Sequence, residues 1–196
     1  MAGGSLRQLT IGRPWLWNFL ISLVMMPLGI LQGQSPDAAV VNVPGWTPAD
    51  QVSPLITVGA RQDPRTRLWS YTYRVSNGTT AGQVLIKLAF IISVPVESAK
   101  APNGWWAATY NPPAALPGVT FAAKQDTAGS WPAAAAPGGS MLTFTIVSRH
   151  PPGTIEYYAR GNASPISIDG LDAASQARLP DERQDAMRGT TIGPAQ

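Results

Sequence analysis

The stretch Trp69–Gly78, WSYTYRVSNG, alternates large and polar side chains so regularly that it decides the fold class. Trp69, Tyr71, Tyr73 and Val75 fall on one side of an extended chain, and Ser70, Thr72 and Arg74 on the other. Successive residues of a strand point to opposite faces, so this is a strand with one face in a core and one in water. A helix would scatter the same residues around its axis. Asn77-Gly78 then supplies turn chemistry of the kind that closes hairpins.

Reading outward from this strand, the same signals recur. Upstream, Leu55–Val58 is a short apolar run. Downstream, Gln83–Ser93 puts Val84, Ile86, Leu88, Phe90 and Ile92 on one face, while Leu85, Ala89 and Ile91 make its other face partly apolar too. That strand is expected to be central, or covered on both sides. Trp105–Tyr110, Val119–Ala123, Met141–Ser148 and Thr154–Arg160 complete the series, separated by turn clusters at 101–104, 111–113, 137–139 and 151–153. The chain holds 19 Pro and 19 Gly with few long runs of helix formers, a composition suited to short strands and turns. The pattern predicts an all-β domain over 54–161, an antiparallel sandwich of about seven strands.

The succession WSYTYRVSNG, then an apolar strand, then APNGWW, APGGSMLTFTIVS and PPGTIEYYARG resembles exported bacterial β-sandwich proteins of immunoglobulin-like or fibronectin type III-like form. The resemblance covers about 55–161. It implies an adhesive, spacer or docking module and brings no catalytic residues with it. The chain has no cysteine, so the disulfide of antibody domains is absent, as are any disulfide framework and any thiolate metal site.

Before the domain, Pro14–Leu31 reads PWLWNFLISLVMMPLGIL, preceded by Arg7 and Arg13. As a helix it would cover about 27 Å, close to the hydrocarbon thickness of a bilayer. With both cations on its N-terminal side, residues 1–13 are expected in the cytoplasm and the rest outside. Trp15 and Trp17 suit the headgroup region, and Phe19, Leu20, Leu23 and Val24 the hydrocarbon. Asn18, Ser22 and Pro27 weaken the span. A cleaved export signal is the alternative, but cuts after Gly33, Ser35 or Ala39 meet Leu31, Pro36 or Asp37 where a peptidase disfavours them. The segment 14–31 is therefore read as an uncleaved single-pass anchor in the inner membrane. An extended linker, 32–53, follows it, with Val40–Val43 as a candidate edge strand. The tail, 162–196, is polar and weakly helical and reads as an irregular arm.

Little here points to catalysis. His150 is the only histidine, and no partner residues stand at triad or zinc spacing. Glu97 and Glu156 form a nominal carboxylate pair of the glycosidase kind, no phosphate-loop motif occurs, and no cofactor is expected. Asn77-Gly78-Thr79 fits a glycosylation acceptor but reads more simply as a turn. Only Arg7 and Arg13 of the 14 basic residues precede Gln32, leaving an exported part of nearly balanced charge, which argues against nucleic acid.

The aromatics carry more. Trp105 and Trp106 are adjacent, so in a strand they must face opposite ways. If Trp105 enters the core, Trp106 and Tyr110 share the outer face and, with Trp131, make a candidate docking patch. The competing expectation is that the Ala-rich loop Ala133–Ala136, or a second sheet, covers it. The function expected from all this is a non-catalytic, membrane-anchored periplasmic accessory subunit. It would dock on a larger integral membrane-protein complex of respiratory, transport or photosynthetic type. The alternative is a secreted, signal-cleaved module that binds carbohydrate or a cell surface.

Overall fold

The computed structural model describes residues 47–163, 174 and 183–196. The expected anchor 14–31, the linker up to 46 and the centre of the tail lie outside the described residues. Among the described residues no helix is long and apolar enough to cross a membrane.

Among the described residues nine strands form: β1 Pro54–Gln62, β2 Trp69–Asn77, β3 Leu85–Ile91, β4 Ser98–Lys100, β5 Trp105–Tyr110, β6 Gly118–Ala123, β7 Leu142–Ser148, β8 Pro152–Gly161 and β9 Met187–Pro194. They make two sheets, ordered β1-β2-β7-β4 and β5-β6-β3-β8-β9, with every neighbouring pair antiparallel. A variable-type immunoglobulin sandwich also puts its first two strands beside the seventh in one sheet, and its third beside the eighth and ninth in the other. Here the strands at the fourth and sixth places of the chain are exchanged relative to that order. The result is an immunoglobulin-like sandwich with its own connectivity between β3 and β7.

The alternation read in WSYTYRVSNG sets the inward face of β2, where Tyr71, Tyr73 and Val75 are fully buried. Register then carries the same side to Phe144 and Ile146 on β7. From the other sheet Leu88, Phe90, Phe121, Tyr157 and Ala159 meet them. Where antibody domains place a disulfide, aromatic rings run in series across the sandwich. Tyr73 and Phe90 lie 4.4 Å apart between centroids, Phe121 and Phe144 4.8 Å, and Phe144 and Trp105 5.2 Å, edge to face. Each such buried side chain contributes roughly 1.5–3 kcal/mol by leaving water, and favourable ring pairs about 0.5–1.5 kcal/mol more.

Two strands exceed the seven expected. β4 is three residues long and buries only part of Ala99, too little for an alternation signal. β9 lies within what reads as an irregular arm. Its inward positions include Gly189 and Gly193, where a Cβ would strike the Tyr157 ring, Ile155 and the Tyr73 hydroxyl. The larger side chains of β8 fill the space that β9 leaves, so β9 needs no apolar stripe of its own. The pair Asn77-Gly78 differs from expectation as well. It closes no hairpin, because β2 and β3 belong to different sheets. Gly118 shows a related close approach: with φ +153°, any Cβ there would run into the Phe90 carbonyl oxygen across β3. The described end of the linker, 47–53, forms no strand, yet it buries Ala49 and Val52.

The buried tyrosines make the fold alkali-sensitive. The Tyr71 hydroxyl donates to the His150 carbonyl at 2.7 Å, and burial pushes its pKa up to about 12. Burial pushes Tyr73 further and raises Tyr157 also. In the unfolded chain these phenols ionise near pH 10. Their contribution to stability is complete below that value and is lost as pH rises through the raised folded values. Folded protein at pH 11 should therefore keep Tyr71 and Tyr73 protonated, with 295 nm absorbance jumping on urea addition. A full phenolate signal in the folded protein would contradict this packing.

Candidate aromatic groove

The adjacent tryptophans separate as strand geometry requires. Trp105 turns inward, is buried, and donates its Nε1–H to the Ala133 carbonyl at 2.7 Å. The Ala-rich loop thus covers Trp105 from the end of the sandwich and leaves Trp106 open, 42% exposed. Across the outer face, Trp106 is in register with Ala122, Lys87 and Arg160. Because Ala122 is small, the indole stands above the sheet. A groove of about 570 Å³ opens beside it, lined chiefly by Trp106, Trp131, Ile86, Lys87, Lys124 and Arg160.

Local bonds hold the loop that presents Trp131. Asp126 Oδ1 accepts from the amides of Ala128 and Ser130 at 2.9 and 2.7 Å, and Gln125 Nε2 donates to the Gly129 carbonyl at 2.9 Å. Downstream, Ala135 exchanges backbone hydrogen bonds with Leu85 at 2.9 and 3.0 Å. The loop is therefore tied at both ends, and Trp131 is half-buried against the core. Such fixed aromatic walls lose little entropy when a ligand stacks on them.

Of the three aromatics expected in one patch, Trp106 and Trp131 share the groove. Tyr110 is 50% exposed on the same face but sits opposite Gly118, four residues along β5. At strand spacing that is about 13 Å from Trp106. Lys124 and Arg160 were not expected at this site. The alternation of β8 assigns Arg160 outward, but only cross-strand register brings it to Lys87.

The groove's cationic side is anchored. Arg160 Nη2 meets Asp185 Oδ2 at 3.1 Å and its Nε donates to the Asp185 carbonyl at 3.2 Å. Asp185 is 4% exposed and also accepts the Ala49 amide at 2.8 Å. Burial pushes its carboxyl above the usual range, and the bonds from Ala49 and Arg160 pull it only partly back.

The residues considered for chemistry lie elsewhere. Glu97 pairs with Arg149 at 2.9 Å at the edge of the four-stranded sheet, while Glu156 faces outward from β8 in the other sheet. His150 is half-buried, with its carbonyl bonded to Tyr71. Among the described residues, no cluster of three or more His, Asp or Glu is placed to hold a metal ion. The Asn77 sequon is inaccessible: Asn77 is 1% exposed, and its Nδ2 donates to the carbonyls of Gln83 and Ala135 at 2.7 and 3.1 Å.

No family model and no curated protein matches this chain. Among solved structures it is similar to an uncharacterized protein from Nocardia farcinica with an immunoglobulin-like fold. The two are 16% identical, with 74% of this chain and 98% of that chain covered and a TM-score of 0.37.

Proposed function

We propose that the protein is a non-catalytic, membrane-anchored periplasmic accessory subunit that docks on a larger membrane-protein assembly through the Trp106 groove. The observation that carries this reading is the open indole of Trp106 on a rigid sheet, flanked by Trp131, while its chain neighbour Trp105 is buried in the core. Tryptophan is enriched among the few residues that carry most of the binding energy of protein interfaces. The anchor rests on the sequence of 14–31 alone. Tethering would confine the domain to the membrane surface and raise the effective concentration of a weak docking patch.

The test has two parts. Intact mass of the protein from membrane and soluble fractions decides the anchor; a soluble chain starting near Ser35 would remove it. For docking, Trp106→Ala should weaken association with the larger complex by about 30-fold or more, as loss of a central anchor of about 2 kcal/mol does. Thermal stability should change by less than about 0.5 kcal/mol, as expected for a surface site. Native gels of solubilised membranes provide the readout, and a free monomer in the unmodified strain counts against docking.

A second reading is favoured by the polar groups around the two indoles. Lys124 and Gln125 line the same groove, the mixture of stacking faces and hydrogen-bond donors that sugar sites use. In that case Trp106→Ala abolishes glycan retention and leaves complex migration unchanged.

A further inference from the structure

The four-stranded sheet carries a second site, independent of the Trp106 groove. The chain leaves β1 through RQDPRTR, Arg61–Arg67, three arginines with a single acid among them. That acid is engaged in the turn. Asp63 Oδ1 accepts from the amides of Arg65 and Thr66 at 2.8 and 3.4 Å, bonds that hold its carboxyl below the usual range. The Arg67 amide donates to the Asp63 carbonyl at 2.8 Å, the Asp63 amide to Leu68 at 2.8 Å, and Arg67 adopts φ 57°. The loop that displays Arg65 and Arg67 is thus a closed, hydrogen-bonded turn.

Register extends the charge over the outer face of the sheet. Arg61 is opposite Ser70 and Thr57 opposite Arg74, while Thr145 joins Thr72 on one side to Lys100 on the other. Arg74 and Lys100 are exposed among hydroxyls. Among the described residues none of Arg61, Arg65, Arg67, Arg74 or Lys100 is held in an ion pair. The turn overhangs the end of this face and encloses an open groove of about 950 Å³, lined by Arg61, Arg65, Thr66, Trp69, Ser70 and Thr72 among others.

We propose that this groove binds an anionic polysaccharide, with Arg61 and Arg65 gripping its carboxylate or sulfate groups, and Thr66, Ser70, Thr72 and the open part of Trp69 meeting the sugar ring. Guanidinium forks match such groups two bonds at a time, and hydroxyl-lined walls match sugar hydroxyls. A lipid surface fits less well. The turn has no apolar side chain except Pro64 to enter hydrocarbon, and Arg61 and Arg65 line a concavity that a flat bilayer cannot fill. Single-stranded nucleic acid would call for a row of exposed aromatics, and this groove has only the half-buried Trp69.

The test uses the full-length chain in mild nonionic detergent, titrated with a short heparin oligosaccharide by calorimetry. Binding should weaken steeply with added salt, and neutral dextran should not bind. Arg61→Ser/Arg65→Ser should weaken binding at least about tenfold, while the charge-matched control Arg149→Ser/Arg188→Ser should change it less than about threefold. In the unmodified chain the oligosaccharide should slow amide exchange over 59–74, a readout that needs no variant. Equal losses in the two double variants would reduce the effect to net charge and overturn the site. So would the absence of heparin binding, or protection confined to the Trp106 side. Tighter binding to phosphatidylglycerol vesicles, or to a DNA oligonucleotide of matching charge, would replace the polysaccharide by that partner.

Discussion

Asn77→Asp is expected to unfold the domain at neutral pH, and Asn77→Ala to cost about 2–4 kcal/mol, from the Ser53 amide and the Gln83 carbonyl left without a partner at about 1–2 kcal/mol each, while the Ala135 carbonyl keeps the Leu85 amide. Asn77 ends β2 on the inward face, where its one side chain ties three segments together. Its Nδ2 donates to the Gln83 and Ala135 carbonyls, and its Oδ1 accepts the Ser53 amide at 2.9 Å. Two carbonyls on one side and an N–H on the other leave a single orientation for the amide. Aspartate has nearly the same shape but turns an oxygen toward two carbonyl oxygens, and it does so as a buried charge. Protonation relieves this, so the variant's carboxyl is raised in the folded state. Its folded form should be most stable in acid and lose stability as pH rises through that raised value. Urea melts followed by tryptophan fluorescence at pH 4 and pH 7 test the argument. A loss below about 1 kcal/mol in Asn77→Ala would show that the three segments are held by other contacts.

Asn77 also shows how far the sequence could be read. The dipeptide Asn77-Gly78 is turn chemistry, and a turn does follow β2, the Ala81 amide donating to the Gly78 carbonyl at 3.1 Å. Whether the next strand pairs beside β2 or crosses to the opposite sheet is decided by register and packing over distance. Strands with alternating inward residues, β2, β7 and β8, were legible because their faces differ in hydropathy. β9 was not, because glycine serves its inward face where Tyr157 and Ile155 supply the bulk. The hydrophobic stripe belongs to the neighbouring strand. β4 is held by backbone pairing with β7 at only three positions, which leaves no trace in side-chain pattern.

The site was legible in the same measure. Strand parity alone sends Trp105 and Trp106 to opposite faces, but parity does not say which indole is inside. The Ala133 carbonyl, meeting Trp105 from 28 residues away, settles that. Tyr110 has the right parity and the wrong distance. The arginine cluster at 61–67 was visible as a string, yet averaging charge over the whole exported part concealed it, because acids elsewhere in the chain balance it. Arg74 and Lys100 join it only through the register of β1, β2, β7 and β4.

Asp185→Ala should cost about 3 kcal/mol, toward the lower end of what breaking a buried ion pair costs, and lower the melting temperature by roughly 10 °C. The lower end applies because the Arg160 side chain keeps 20% of its surface in water, while that of Asp185 keeps 2%. The carboxylate joins distant parts of the chain: the Ala49 amide where the chain enters the sandwich, Arg160 at the end of β8, and its own segment leading into β9. Removing it orphans the Ala49 donor and leaves a guanidinium without its carboxylate. Asp185→Asn keeps an acceptor for Ala49 and should cost less than alanine. Burial is the larger influence on this carboxyl and raises its pKa, so its contribution is complete below the unfolded carboxylate value and declines as pH rises through the folded one. The gap between the Asp and Asn proteins should accordingly narrow as pH rises from about 4 to 7. The loss should also be local before it is global. Limited proteolysis of Asp185→Ala should cut first within 47–53 and 183–187, the two segments outside β8 that the carboxylate joins, while β2, β3 and β7 stay protected. Cleavage spread evenly over the chain would mean that Asp185 stabilises the sandwich as a whole and fastens neither end in particular.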